Sequence, residues 1–189
     1  MRDMINMIVV LTILGAVSGG LLAATKDWTD PKIEYQQLTF VKGPAIRTIL
    51  EGASNDPIVD RFKIDHDGGE SSFFVGIFNG EPNTIAFEGV GKGFGGDVGL
   101  MMGITLADDK IIGVGVTTHS ETPGIGSKAK TDPSFTNQFK GMQMTSVSDV
   151  DVMSGATVTS DGINGGVAAA SQLYQSLKPQ ILEQLKAFK

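Results

Sequence analysis

The chain has no cysteine and only two histidines among its 189 residues. Without cysteine there is no disulfide, no Cys-ligated iron–sulfur cluster, no Cys-type zinc site and no attached c-type haem. The compartment stays open, because a protein can sit in an oxidising space without using disulfides. His66 and His119 are the only imidazoles, so no metal site is expected. Positive charge is also short, with 15 Lys and Arg against 21 Asp and Glu and a net charge of −6. Arg2 and Asp3 cancel, so the whole excess lies beyond the first apolar run. An acidic domain argues against a nucleic-acid surface and against a polybasic lipid patch. No internal repeat or low-complexity linker is evident. What remains is the composition of a folded protein rich in glycine, long enough for one domain and an appendage.

The appendage is N-terminal. From Met4 to Thr25 run 22 residues without a charge. That length crosses a hydrocarbon core of roughly 30 Å at about 1.5 Å per residue. Gly15, Ala16, Ser18, Gly19 and Gly20 would let another helix approach closely. We expect residues 1–25 to be a transmembrane anchor. A cleaved signal peptide, cut after Ser18-x-Gly20, is the competing reading. Arg2 and Lys26 flank the run too evenly to set orientation. The very short leading segment favours an N-terminus inside and an exported domain. Trp28 and Tyr35 suit an interfacial belt, though Trp28 also suits a core.

Residues 26–189 read as one domain, of α+β class, with a largely antiparallel sheet and flanking helices. Pro44–Ser54 has Pro at the start and Gly near the end of a short helix. Strands are expected at Arg61–Asp65, Ser72–Phe78, Thr84–Glu88, Asp97–Leu106 and Lys110–Thr118. Asn79-Gly80 is the strongest hairpin dipeptide. Helices are expected over 161–175 and 178–188, separated near Pro179.

Three stretches carry candidate chemistry. Asp151–Ser160 packs Ser154, Thr157, Thr159 and Ser160 around a Gly-Ala pair before a helix. Such a loop either caps the helix or seats a phosphate at its positive end. His119–Lys128 contains Thr122-Pro123-Gly124, with Pro where φ is fixed and Gly where φ turns positive. It is either a surface turn or a ligand-wrapping loop, with Glu121 as acceptor or brace. Gly89–Gly96 looks superficially like a dinucleotide loop, but a strand follows where a phosphate-binding helix is required. It reads as a flexible connection.

Asp151-Val-Met-Ser154-Gly155-Ala156-Thr157 resembles the flavinylation motif Asp-x-x-Ser/Thr-Gly-Ala-Thr of the covalent FMN-binding domain family. Glu121-Thr122-Pro123-Gly124-Ile125-Gly126 resembles that family's second block. With one N-terminal membrane helix and a short chain, the likeness is to the G subunits of Rnf ion-translocating electron-transport complexes. The C subunits of sodium-translocating NADH:quinone reductases, usually longer, rank second. The likeness covers the membrane helix and roughly residues 70–175; residues 26–70 add little to it.

The resemblance implies a covalent FMN, joined through its phosphate to the hydroxyl of Thr157. It implies phosphate contacts from Ser154, Gly155 and Ala156, a recognition role for Asp151, and cofactor contacts from Glu121, Thr122 and Gly124. No base adjoins Thr157 in the sequence, and the family implies a separate, metal-dependent flavin transferase using FAD. The chain is then an electron relay in a ferredoxin:NAD oxidoreductase complex of the bacterial inner membrane. It would be single-pass, with its domain outside, partnered by other membrane subunits and without a complete active site of its own. A membrane-anchored module that binds a phosphorylated ligand or holds subunits together is the reading from another class.

Overall fold

Asn79 and Gly80 both adopt positive φ, 56° and 81°. That backbone twist joins two antiparallel strands through a two-residue turn. The structure, a computed structural model, describes residues 1–144, 147 and 150–188. The strands are β1 (Arg61–His66), β2 (Gly69–Phe78), β3 (Glu81–Lys92), β4 (Asp97–Thr105) and β5 (Lys110–Thr118). They form one five-stranded sheet in chain order, every neighbouring pair antiparallel. Each expected strand is present. β2 starts earlier than expected, because Gly69–Ser71 pair with β1. β3 starts earlier, because Asn79-Gly80 alone makes the turn and Pro82 is accommodated opposite Ile77 beside a register shift, and it ends later, because Gly89–Lys92 pair with β4.

The chain divides into two units, Met1–Thr39 and Phe40–Lys189. In the first, helix α1 (Arg2–Gln36) has no buried residue. The stretch Arg2–Ile49 contains an 18-residue window of mean hydropathy 2.3, long and apolar enough to cross a membrane. Helix continues past Thr25 through Pro31. Trp28 is 73% exposed, so it is not a core residue. Lys32 Nζ lies 4.8 Å from its ring centroid.

In the second unit, α2 (Gly43–Ile49) is shorter than the expected 44–54 helix. Leu50 leaves helical geometry at φ −98°, ψ 29°, and Gly52 follows with φ 89°. Ile49 of α2 packs onto Gly103, where a Cβ would overlap it, and lies over Gly113. The other helices are α3 (Lys128–Thr131), α4 (Pro133–Thr136) and α5 (Thr157–Gln184). Where two C-terminal helices were expected, α5 is one helix with Pro179 inside it. Pro179 forfeits one backbone bond, but Tyr174, Leu177 and Ile181 continue one buried face across it.

The main core lies between the sheet and α5. Its members include Phe73 and Val75 of β2, Ile85 and Phe87 of β3, and Leu100 and Met102 of β4. The period-2 spacing within each strand puts them on one face. Ile163, Val167, Ala170 and Tyr174 answer from α5 at helical spacing. An aromatic row, Phe62, Phe73, Phe87 and Tyr174, crosses the sheet with successive ring centroids 5.4, 5.4 and 6.1 Å apart.

Gly91 and Gly162 set how closely α5 approaches β3. A Cβ on Gly91 would overlap the carbonyl of Gly162, and one on Gly162 would overlap the carbonyl of Lys92. Helix and strand backbones touch here, as only glycine permits. The stretch Gly89–Gly96 is therefore not a flexible connection. Gly89 and Gly91 lie inside β3, and only Gly93–Gly96 form the turn to β4. This contact brings the first turn of α5 down beside that turn.

Candidate functional site

Thr157 opens α5. The preceding residue, Ala156, is the N-cap and has no side-chain capping bond. The first intrahelical bond runs from Ser160 N to Ala156 O at 2.9 Å. The amides of Thr157, Val158 and Thr159 therefore precede the helical ladder, at the positive end of the helix dipole. The hydroxyl side chains nearest to them are committed elsewhere. Thr159 Oγ1 donates to Glu121 Oε2 at 2.6 Å. Ser160 Oγ donates to Ala156 O at 3.0 Å and accepts from Met153 N at 2.9 Å. The cap reading of Thr159 and Ser160 is corrected accordingly: both are buried inside the first turn. Thr157, by contrast, is exposed.

Gly155 has φ 78°, and Ala156 N donates to Met153 O at 3.0 Å, closing a tight turn before the helix. That positive φ is why Gly stands in the motif. Thr122-Pro123-Gly124-Ile125 forms the other expected turn. Ile125 N donates to Thr122 O at 3.2 Å, and Gly124 has φ 74°.

The two loops, 29 residues apart between Gly126 and Gly155 in the numbering, meet at one cleft of about 450 Å³. Glu121, Thr122, Ile125 and Gly126 line one side; Gly155, Ala156, Thr157, Val158 and Thr159 line the other; Phe94 joins from the β3–β4 turn. Size and chemistry suit an amphiphilic small molecule. Phe94, Ile125 and Val158 form an apolar part, and the open amides and the Thr157 hydroxyl form a polar part.

Glu121 is buried, 7% exposed. Its Oε1 accepts from Gly95 N at 2.9 Å and its Oε2 from Thr159 Oγ1. Its own amide donates to His119 Nδ1 at 3.2 Å. Of the acceptor and brace readings, the bonds fit the brace: it ties the β3–β4 turn to α5. Asp151 and Ser154 are exposed and stand outside the lining. Asp151 is anchored by its backbone, its amide donating to Gln138 Oε1 at 3.0 Å and its carbonyl accepting from Gln138 Nε2 at 3.2 Å. Gly124 shapes the turn without lining the cleft.

Sequence reasoning missed Phe94 and Val158, and Ile125 stood out only as part of a block. Gly93 and Gly95 were the available signal. A Cβ on Gly93 would collide with Glu121 Oε1, and one on Gly95 with the carbonyl of Ser120. Glycine at alternate positions here marks close packing around a buried carboxylate. Among the described residues, no group of three or more His, Cys, Asp or Glu is placed to hold a metal.

Residues 93–172 match the family model described as FMN-binding domain, a span that begins at the β3–β4 turn and ends inside α5. The chain is 28% identical over 169 residues to the G subunit of the proton-translocating ferredoxin:NAD(+) oxidoreductase complex of Clostridium ljungdahlii, covering 85% of each chain. It is 29% identical over 193 residues to the G subunit of the ion-translocating oxidoreductase complex of Vibrio atlanticus, covering 93% of this chain and 92% of that one. Among solved structures, the C subunit of the Na(+)-translocating NADH-quinone reductase from Parabacteroides distasonis aligns with TM-score 0.50 and 26% identity, over 57% of this chain and 62% of that one. NqrC of Shewanella oneidensis shares the fold, with TM-score 0.52 and 24% identity over 71% and 72% of the two chains.

Proposed function

We propose that the chain, whose residues 93–172 match the FMN-binding domain model, is the G-type subunit of an ion-translocating ferredoxin:NAD oxidoreductase complex and relays electrons through an FMN esterified to Thr157. The observation that carries this reading is the convergence of both motif loops on one cleft, with an exposed threonine at an uncapped helix start.

The residues fit the cofactor. The amides of Thr157, Val158 and Thr159 are free of the helical ladder and would hold phosphate oxygens. Phe94, Ile125 and Val158 would shelter the ring system. Bound there, flavin supplies one- and two-electron redox chemistry that no side chain of this cysteine-free protein offers. The chain's own work is to anchor, orient and shield. Thr157 and the helix start fix the phosphate end. The Glu121 brace fixes the walls, and the exposed apolar side chains offer a surface for the ring to cover.

Attachment requires a partner enzyme. Attachment would join Thr157 Oγ1 to the FMN phosphorus of FAD in place of the diphosphate bond, with AMP as the leaving group. The hydroxyl proton would pass to a base on the transferase, since the carboxylate lining the cleft, Glu121, already accepts from Gly95 and Thr159. Asp151 and Ser154, exposed on the turn before the helix, are positioned for that enzyme to read.

Helix α1 serves as a single membrane anchor, with the flavin domain on the extracytoplasmic side and other subunits of the complex as neighbours. The direct test is co-expression with a flavin transferase, followed by intact mass and in-gel flavin fluorescence after denaturation. A gain of one FMN less one water is expected. A non-fluorescent protein of unmodified mass would overturn the covalent reading.

A further inference from the structure

We propose that Glu121 is a positioning residue for the flavin ring: it ties the Phe94 turn to the first turn of α5, so that the ring wall stands at a fixed place relative to the Thr157 anchor. This rests on the reading of the cleft as a flavin site.

The grounds are geometric. Both carboxylate oxygens act as acceptors, one for Gly95 N and one for Thr159 Oγ1. Gly95 follows Phe94 in the chain, and Thr159 stands two residues after Thr157. One side chain thus bridges the two parts of the cleft that are polar and apolar. Glycines make room for it. A Cβ at Gly93 would strike Oε1, and one at Gly126 would strike Oε2. No cation pairs with Glu121 among the described residues.

The energetics point the same way. Burying a carboxylate without a counter-charge is costly, and an apolar residue of similar volume would serve packing alone better. What an apolar residue cannot do is hold an amide and a hydroxyl at once. Phe94 supplies the purpose. It is 76% exposed on a three-glycine turn that Gly93 N closes on Gly96 O, yet it lines the cleft. The bond from Gly95 N to Glu121 ties that turn, and Phe94 with it, to the other wall. Glutamine can replace the carboxylate, since its carbonyl accepts from Gly95 and its amide donates to a rotated Thr159 hydroxyl.

The test uses the full chain, flavinylated by co-expression, in four variants: Glu121→Ala, Glu121→Gln, Thr159→Val and Phe94→Ala. Intact mass reports attachment. Circular dichroism in the visible flavin band and flavin fluorescence anisotropy report ring order, and a redox titration reports the midpoint potential. Glu121→Ala should keep the added mass but lose roughly half or more of the flavin dichroism and anisotropy, because the supporting contacts are gone. Phe94→Ala should do the same and shift the potential in the same direction, with cooperative thermal melting unchanged. Glu121→Gln should restore ring order, and Thr159→Val should fall between.

Full dichroism and anisotropy in flavinylated Glu121→Ala would overturn the proposal. If Glu121→Ala fails to fold, unchanged ring order in both Phe94→Ala and Thr159→Val would overturn it instead. Unsubstituted protein lacking the added mass is a different failure: it removes the covalent reading, and the role of Glu121 with it.

Discussion

The phenol of Tyr174 donates to Asp109 Oδ1 at 2.7 Å, joining the buried face of α5 to the turn between β4 and β5. Lys178 Nζ completes the clasp, 2.8 Å from Oδ1 and 2.6 Å from Oδ2. Burial pushes the Asp109 carboxyl up, but the Lys178 and Tyr174 hydrogen bonds and the Lys178 charge together bring it below its ordinary value. Burial, and then the Asp109 partner, push the Tyr174 phenol well above its ordinary value.

The signs give opposite limbs. A carboxylate held low contributes stability above its unfolded pKa of about 3.9, and loses it as pH falls through the lower folded value. A phenol held high contributes below about pH 10 and loses that contribution as pH rises beyond. Asp109→Asn should flatten the acid limb of a urea-midpoint profile. Asparagine tolerates the positive φ of 53° at this position, so the backbone survives the change. Tyr174→Phe should flatten the alkaline limb and cost about 1–2 kcal/mol near neutrality.

Two neighbouring threonines should behave oppositely in flavinylation. Thr157→Ala removes the exposed hydroxyl and should abolish covalent fluorescence in a denaturing gel. Thr159→Ala removes a buried donor to Glu121 and should leave attachment intact. Fluorescence persisting in Thr157→Ala would move the ester to another oxygen.

Glycines on α5 should divide by surroundings. Gly162→Ala drives a methyl into the Lys92 carbonyl and should destabilise by about 1–3 kcal/mol or more. Gly165 has nothing within 4 Å of the added position. Gly165→Ala should therefore stabilise by up to about 1 kcal/mol through helix propensity. Equilibrium urea unfolding of both variants decides it.

Sidedness is tested with a reporter enzyme that works only outside the cytoplasm, fused to the C-terminus. An active fusion retained in washed membranes is expected. An expressed but silent fusion would reverse the orientation, and release into the soluble fraction would indicate a cleaved α1.

The strands were legible because alternation and Asn79-Gly80 are local signals. Strand β5 matches its expected bounds, Lys110–Thr118. The position of α5 was harder to read. Its start at Thr157 depends on Gly162 docking on β3, a contact made 70 residues away in sequence at Gly91 and Lys92. Pro179 suggested a break that the buried face around Tyr174 overrides. In the cleft, Glu121, Thr122, Gly155, Ala156 and Thr157 were legible from two motif blocks. Phe94 was not, because an exposed aromatic on a glycine turn has no pattern until its neighbours in space are known.

The strands pair strictly in order, so β1 to β5 can zip together as each emerges, with little chain to close between them. The cleft does not share that schedule. Its Phe94 turn exists once the sheet is made, but Glu121 gains its second bond, and the cleft its remaining wall, only from the start of the last long helix. A truncated or stalled chain therefore offers a sheet without an acceptor hydroxyl. Flavin on Thr157, as proposed, would mark only molecules synthesised through the start of α5.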